Sequence, residues 1–307
     1  MTTHAANNGI SRSHRTVLLT ATAMTALLVT MGGVVCVTES GRACPDWPRC
    51  YGQVVPPMRA DAIIEYTHRL FAALTSPFII AAALVGWMKA SAIRWVSRPP
   101  VLAVVLLIAV VAFGAMAVLR GLPPWAAALD LGLALIVLAL MLTSTIVAFS
   151  RPDTPRLADR LSFSRAFVRL ALVAAVGVFA VFVGGVLVAD GGSTVRCLGC
   201  LGVRPEPAAG GFGRWLQFAR DAISGVAAVS IAALLIAAWW SERSDAPVRR
   251  SAIAAAVLGF AQIAIGALVM MGGATIPLLV ASVGTAVALW VSLVALVVFG
   301  GLALRPA

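Results

Sequence analysis

The chain has 307 residues, of which 61% are hydrophobic and 11% charged, against about 45–50% apolar and about 25% charged residues in soluble domains. That composition excludes a soluble globular protein. At roughly 20 apolar residues per transmembrane helix it leaves room for eight spans and no sizeable soluble domain. The formal charge of +11 rests on 23 basic residues, 22 of them Arg, scattered between apolar runs, so membrane topology rather than nucleic acid accounts for it.

A polar amino-terminal tail carrying His4 and His14 reads as mobile. It leads into Val17–Val37, too long for the apolar core of a signal peptide and without a clear small-x-small cleavage site, so it reads as a retained first helix. Apolar runs and their polar breaks then predict eight spans at 16–38, 62–88, 101–119, 126–149, 167–189, 216–240, 252–271 and 277–303. The runs lack the alternation of membrane strands, which makes this an all-α membrane protein. The tails and the even-numbered connections hold 14 basic residues and the opposite side 9, which predicts both termini in the cytoplasm.

Internal similarity divides the chain. Gly32-Gly33-Val34 recurs as Gly184-Gly185-Val186, and at the same offset Gly114 pairs with Gly266 and Gly121 with Gly273. Residues 1–165 and 166–307 are thus read as two pseudo-symmetric four-helix bundles. With an even number of spans in each, both run in the same sense about an axis along the membrane normal.

Four of the five cysteines fall on the exoplasmic side, Cys44 and Cys50 in the first connection and Cys197 and Cys200 in the fifth. That compartment permits disulfides, so loop staples are the simplest reading, with a reactive dithiol or metal ligands as alternatives. Cys36, at the end of the first span, reads as a small apolar filler. Within the spans the informative group is Glu65-Tyr-Thr-His68-Arg69. Glu65 and His68 share a helix face. Ionisable residues at that depth are costly unless they meet a cavity, a partner or a cofactor, and a carboxyl beside an imidazole can transfer protons. A buried histidine that merely packs is the competing reading.

The stretch Thr38-Glu-Ser-Gly-Arg-Ala-Cys-Pro-Asp-Trp-Pro-Arg-Cys-Tyr-Gly52, with the downstream Glu65-Tyr-Thr-His-Arg69, closely resembles the haem A synthase family of membrane oxidoreductases. The resemblance covers nearly the whole chain. It implies oxidation of the haem O methyl group to a formyl, in a bacterial plasma membrane, with haem held between histidines in each half and the substrate in the amino-terminal one. The implied site is His68 as ligand to haem iron, Glu65 as the catalytic acid, and Arg69 and Asp130 as further cofactor contacts. Terminal-oxidase or haem-synthesis proteins are the implied partners, beside the porphyrin and the lipid bilayer.

The chain also departs from that pattern. Of the family's four histidines only the first, His68, is present; the second position reads Asp130, and the 152-residue offset takes His68 to Arg220 and Asp130 to Ser282. Neither Arg220 nor Ser282 can act as an axial donor to haem iron. At most one haem is therefore expected, in the amino-terminal half, with Asp130, water or the thioether of Met116 opposite His68, and Asp130 is alternatively paired with Arg69. Arg220 is expected to be neutralised by Asp221, Gln217 or Asp190. A non-catalytic haem-binding or oxidase-assembly protein with the same fold is the alternative function. A transporter built on parallel repeats has only the topology in its favour.

Overall fold

The computed structural model describes residues 10–150, 161–188, 211–240 and 245–302. They form eight helices: α1 (Arg12–Val37), α2 (Ala60–Lys89), α3 (Arg94–Arg120), α4 (Pro124–Ser150), α5 (Ala166–Val188), α6 (Gly211–Trp240), α7 (Ala246–Gly272) and α8 (Ile276–Leu302). All eight are long and apolar enough to cross a membrane. In hydrocarbon a helix satisfies its own backbone, which is why apolar runs of this length resolve into helices and not strands.

Helix ends follow local chemistry. Ser11 caps α1, its Oγ accepting from the His14 amide at 3.2 Å, so the helix starts earlier than its apolar run. His14 is therefore not part of a mobile tail. It is 2% exposed, with its Nε2 near Gly86 of α2. Helix α3 also starts ahead of its expected boundary and carries Pro99 and Pro100 inside it. Proline has no amide hydrogen to donate to the carbonyl four residues back, which orphans the carbonyls of Trp95 and Val96. Ser144 of α4 meets both, its Oγ donating at 3.1 and 3.4 Å. Gly121 (φ +74°) and Gly273 (φ +86°) end α3 and α7 in the same way. Each donates its amide to the carbonyl four residues back, and each occupies backbone space that only glycine takes without strain. The repeat is thus visible in turn conformation as well as in sequence.

In the first ring α1 packs on α2, α2 on α3, α3 on α4 and α4 on α1; in the second, α5 to α8 repeat the pattern. The rings meet through α4 against α8, with α4 against α5 and α1 against α8 as a symmetric pair of flanking contacts. Helices α4 and α8 are consequently the most enclosed, with 61% and 67% of their apolar windows buried against 6% for α3. The indole of Trp290 donates to the Leu135 carbonyl at 3.0 Å and lies 5.7 Å from the ring of Phe179. Phe179 itself sits over Gly132, where a Cβ would meet it at 3.3 Å. Thr22 and Thr145 join α1 to α4 at 2.7 Å.

Replacing Ser144 with Ala leaves the two α3 carbonyls without a partner inside the bundle and is expected to cost about 1–2 kcal/mol. Thr143→Ala, which removes only a bond to its own helix, is expected to change stability by under about 0.5 kcal/mol. Equilibrium unfolding in mixed micelles distinguishes the two.

Candidate functional site

The opening turns of α2 place Glu65, His68 and Arg69 at the end of the first ring that carries the 38–59 connection. That connection is folded tightly on itself. Cys44 and Cys50 form a disulfide with Cα atoms 4.8 Å apart, and Glu39 and Tyr51 adopt left-handed backbone conformations. The Asp46 carboxylate accepts from the amides of Tyr51 at 2.6 Å and Gly52 at 2.8 Å. Those bonds, the Gly52 amide first, hold the Asp46 carboxyl below its ordinary value of 3.8, with the Arg69 charge adding to the effect.

Glu65 and Arg69 bind this loop to the helix. One carboxylate oxygen of Glu65 accepts from the Cys44 amide at 2.8 Å, and the other pairs with Arg69. Arg69 also donates to the carbonyls of Asp46 at 2.6 Å, Arg49 at 2.7 Å and Cys44 at 3.4 Å. Side-chain exposures of 4% and 12% put both charges out of bulk water, where an unpaired one would be costly. The expectation that Arg69 pairs with Asp130 is therefore corrected, since its donors are spent on Glu65 and on loop carbonyls.

His68 turns inward. Its Cε1 would lie 3.3 Å from a Cβ built on Gly32 of α1, so the ring rests in a hollow that any other residue would fill, and its Nδ1 is buried with no hydrogen-bond partner. Gly86, about five turns further along α2 at 3.6 residues per turn, points the same way and packs between Val96 of α3 and His14 of α1. The face of α2 that bears His68 is thus the face directed into the ring.

Asp130 faces it from the opposite helix. At about 100° per residue, Asp130 lies about 40° to one side of Ser144, which bonds α3, and about 60° to the other side of Thr145, which bonds α1. It points between those two helices, into the ring. Its Oδ1 is buried without a hydrogen-bond partner. At about 1.5 Å rise per residue, His68 and Asp130 sit about 12 Å and about 9 Å from the starts of their helices, each roughly two turns in. Met116 is not a second candidate donor, because it is 40% exposed on the outer surface of α3. Among the described residues no group of three or more His, Cys, Asp or Glu could hold a bare metal ion.

The second ring differs at the equivalent positions. Ser282 donates to the Gln262 carbonyl oxygen at 3.2 Å, and Gln262 returns its amide to the Ser282 carbonyl at 2.7 Å; Gln262 is fully buried. Arg220 is buried, and Asp221 accepts from Gln217 at 3.0 Å. Sequence reasoning overlooked Gln262, although a lone amide in an apolar run is itself a signal of a polar partner. It also overlooked Arg42, whose guanidinium rests against Gly121 and so joins the disulfide loop to the α3–α4 turn. Cys36 is disulfide-bonded and not a filler. Cys197, Cys200 and Asp190 lie outside the described residues.

Residues 15–295 match the family described as cytochrome oxidase assembly protein. The chain belongs to that family. Haem A synthases are among its similar proteins: that of Halalkalibacterium halodurans is 37% identical over 143 residues, 45% of this chain and 48% of the relative. That of Alkalihalophilus pseudofirmus is 32% identical over 175 residues, 56% and 58% respectively, and that of Bacillus licheniformis is 35% identical over 130 residues, 42% and 43%. The chain spans about half the length of these curated relatives. Membership in an integral-membrane, haem-associated family gives the interior of the first ring a chemical context. An imidazole is an axial donor to haem iron, whereas a guanidinium and a serine hydroxyl are not. The unpartnered His68 nitrogen and the Gly32 hollow suit such a group, and the residues at the equivalent positions of the second ring do not.

Glu65→Gln removes the charge that Arg69 faces and weakens the acceptor for the Cys44 amide. A lost charged hydrogen bond is worth about 1.5–3 kcal/mol, so exchange of the Cys44 amide is expected to accelerate at least about tenfold. Hydrogen-exchange mass spectrometry reads this. Because the Asp46 carboxyl is held below its ordinary value, its hold on the loop is complete above that value and is lost as pH falls through the depressed one. The 44–52 segment is expected to stay protected down to about pH 4 and to loosen below it, and Asp46→Asn is expected to abolish this acid step.

Proposed function

We propose that this chain is a haem A synthase-type membrane oxidoreductase that binds a haem O-type porphyrin in its first four-helix ring and oxidises a porphyrin methyl group to a formyl, with water or dioxygen as the source of the formyl oxygen and an external acceptor taking up the electrons. The observation that carries the reading is His68 seated in the Gly32 hollow with an unpartnered nitrogen, beside the clasp that Glu65 and Arg69 make on the disulfide loop. The haem iron supplies the redox chemistry when bound.

The protein's own residues supply position and proton handling. His68 would hold the haem iron. Glu65, three residues away on the same helix and paired with Arg69, is the acid–base group. Arg69 and the Cys44–Cys50 loop close the end of the ring and exclude water, which strengthens every charge interaction beneath them. Asp130 completes the cofactor contacts from α4. The second ring, with Arg220 and Ser282 at the equivalent positions, holds no haem and serves as packing support for α4. The basic-residue bias supports a loop end outside and both termini in the cytoplasm. Terminal-oxidase or haem-synthesis proteins are the partners that the family description supports.

Purified protein is expected to carry a single haem that His68→Ala removes, as measured by pyridine haemochrome assay. Supplied with haem O, it is expected to form hydroxylated and formyl products, resolved by chromatography, and Glu65→Ala is expected to reduce product at least about 100-fold with haem retained. Haem bound without any such product would assign the chain as a haem-binding assembly protein instead.

A further inference from the structure

The interior of the first ring is chemically one-sided. From α2 it takes an imidazole, and from α4, the helix across the ring, a carboxyl whose Oδ1 is buried without a partner. Among the described residues, the cations and soft donors nearest in sequence pattern to a partner for that carboxyl are engaged elsewhere. Arg69 is spent on Glu65 and the loop, Arg42 rests on Gly121, and Met116 is turned outward. His14, the other described imidazole, lies about 27 Å from Gly32 along α1 at about 1.5 Å per residue, at the far end of the ring. An unpaired carboxyl in this setting calls for a hydrogen-bonding partner from outside the protein.

Building on the porphyrin reading above, we infer that Asp130 makes the side of the site opposite His68 a hydrogen-bonding pocket for water or a small exogenous molecule, and not a second protein ligation point. Iron held there would have one strong-field protein donor, His68. Asp130 would hydrogen-bond the water or small molecule that iron binds on the side facing α4, a place that a second imidazole would fill.

The test uses full-length protein purified from haem-replete cells, with haem content by pyridine haemochrome and spin state by electron paramagnetic resonance of the ferric form. Wild type is expected to be high-spin and to convert to low-spin on addition of imidazole or azide. Asp130→His is expected to be low-spin without any addition and to bind azide at least about tenfold more weakly, since the substituted imidazole fills the position. Asp130→Asn keeps the side chain's size and is expected to remain high-spin, so it tests the site even if Asp130→His fails to fold. A wild-type protein that binds haem but is low-spin, and stays so in Asp130→Asn, has its second ligand elsewhere and overturns this inference while leaving the porphyrin reading intact. Wild type without haem overturns both.

Discussion

A buried carboxylate–guanidinium pair on α2 holds the rest of the site in place. Charges taken out of water are tolerated only when nearly every donor and acceptor is used, and Glu65 and Arg69 meet that demand by reaching into one loop. Glu65 takes the Cys44 amide with one oxygen and Arg69 with the other, and Arg69 takes three loop carbonyls. A connection that contains two left-handed non-glycine residues is thereby fastened to a helix at several points. His68 is adjacent to Arg69 in sequence, so the loop, the ion pair and the imidazole belong to one rigid unit.

The two halves share a backbone and differ in chemistry. Gly121 and Gly273 turn the chain alike, and the ring contacts repeat helix for helix. At the position of Asp130, however, the second half has Ser282, which closes a reciprocal pair of hydrogen bonds with Gln262. A polar pair that satisfies itself asks nothing of a ligand. Asp130 and His68 each retain a buried atom without a partner, and the first half has an imidazole, a donor to iron, where the second has the guanidinium of Arg220, which is not one.

The eight helices were legible because an apolar run of membrane-spanning length has few alternatives. Their ends were less so. Helix α3 begins ahead of Pro99 and Pro100 because Ser144 of α4 accommodates the two freed carbonyls, a tertiary compensation that leaves no mark near the prolines themselves. His14 sits between Arg12 and Arg15 and reads as polar, yet the Ser11 cap starts the helix and carries it into the interior. Glu65, His68, Arg69 and Asp130 were recognisable as unusual residues in apolar surroundings. What Arg69 binds was not, because backbone carbonyls have no sequence signature. The inward direction of Asp130 likewise follows only from where its neighbours Ser144 and Thr145 make their bonds.

The Trp290 indole reaches from α8 to a carbonyl of α4 five residues beyond Asp130, while Phe179 fills the notch above Gly132. The carboxy-terminal half is therefore a mould against which the Asp130-bearing helix is cast. A substitution that changes the relief of α5 or α8 along that seam therefore tilts or shifts the helix that carries Asp130, without touching any side chain of the first ring.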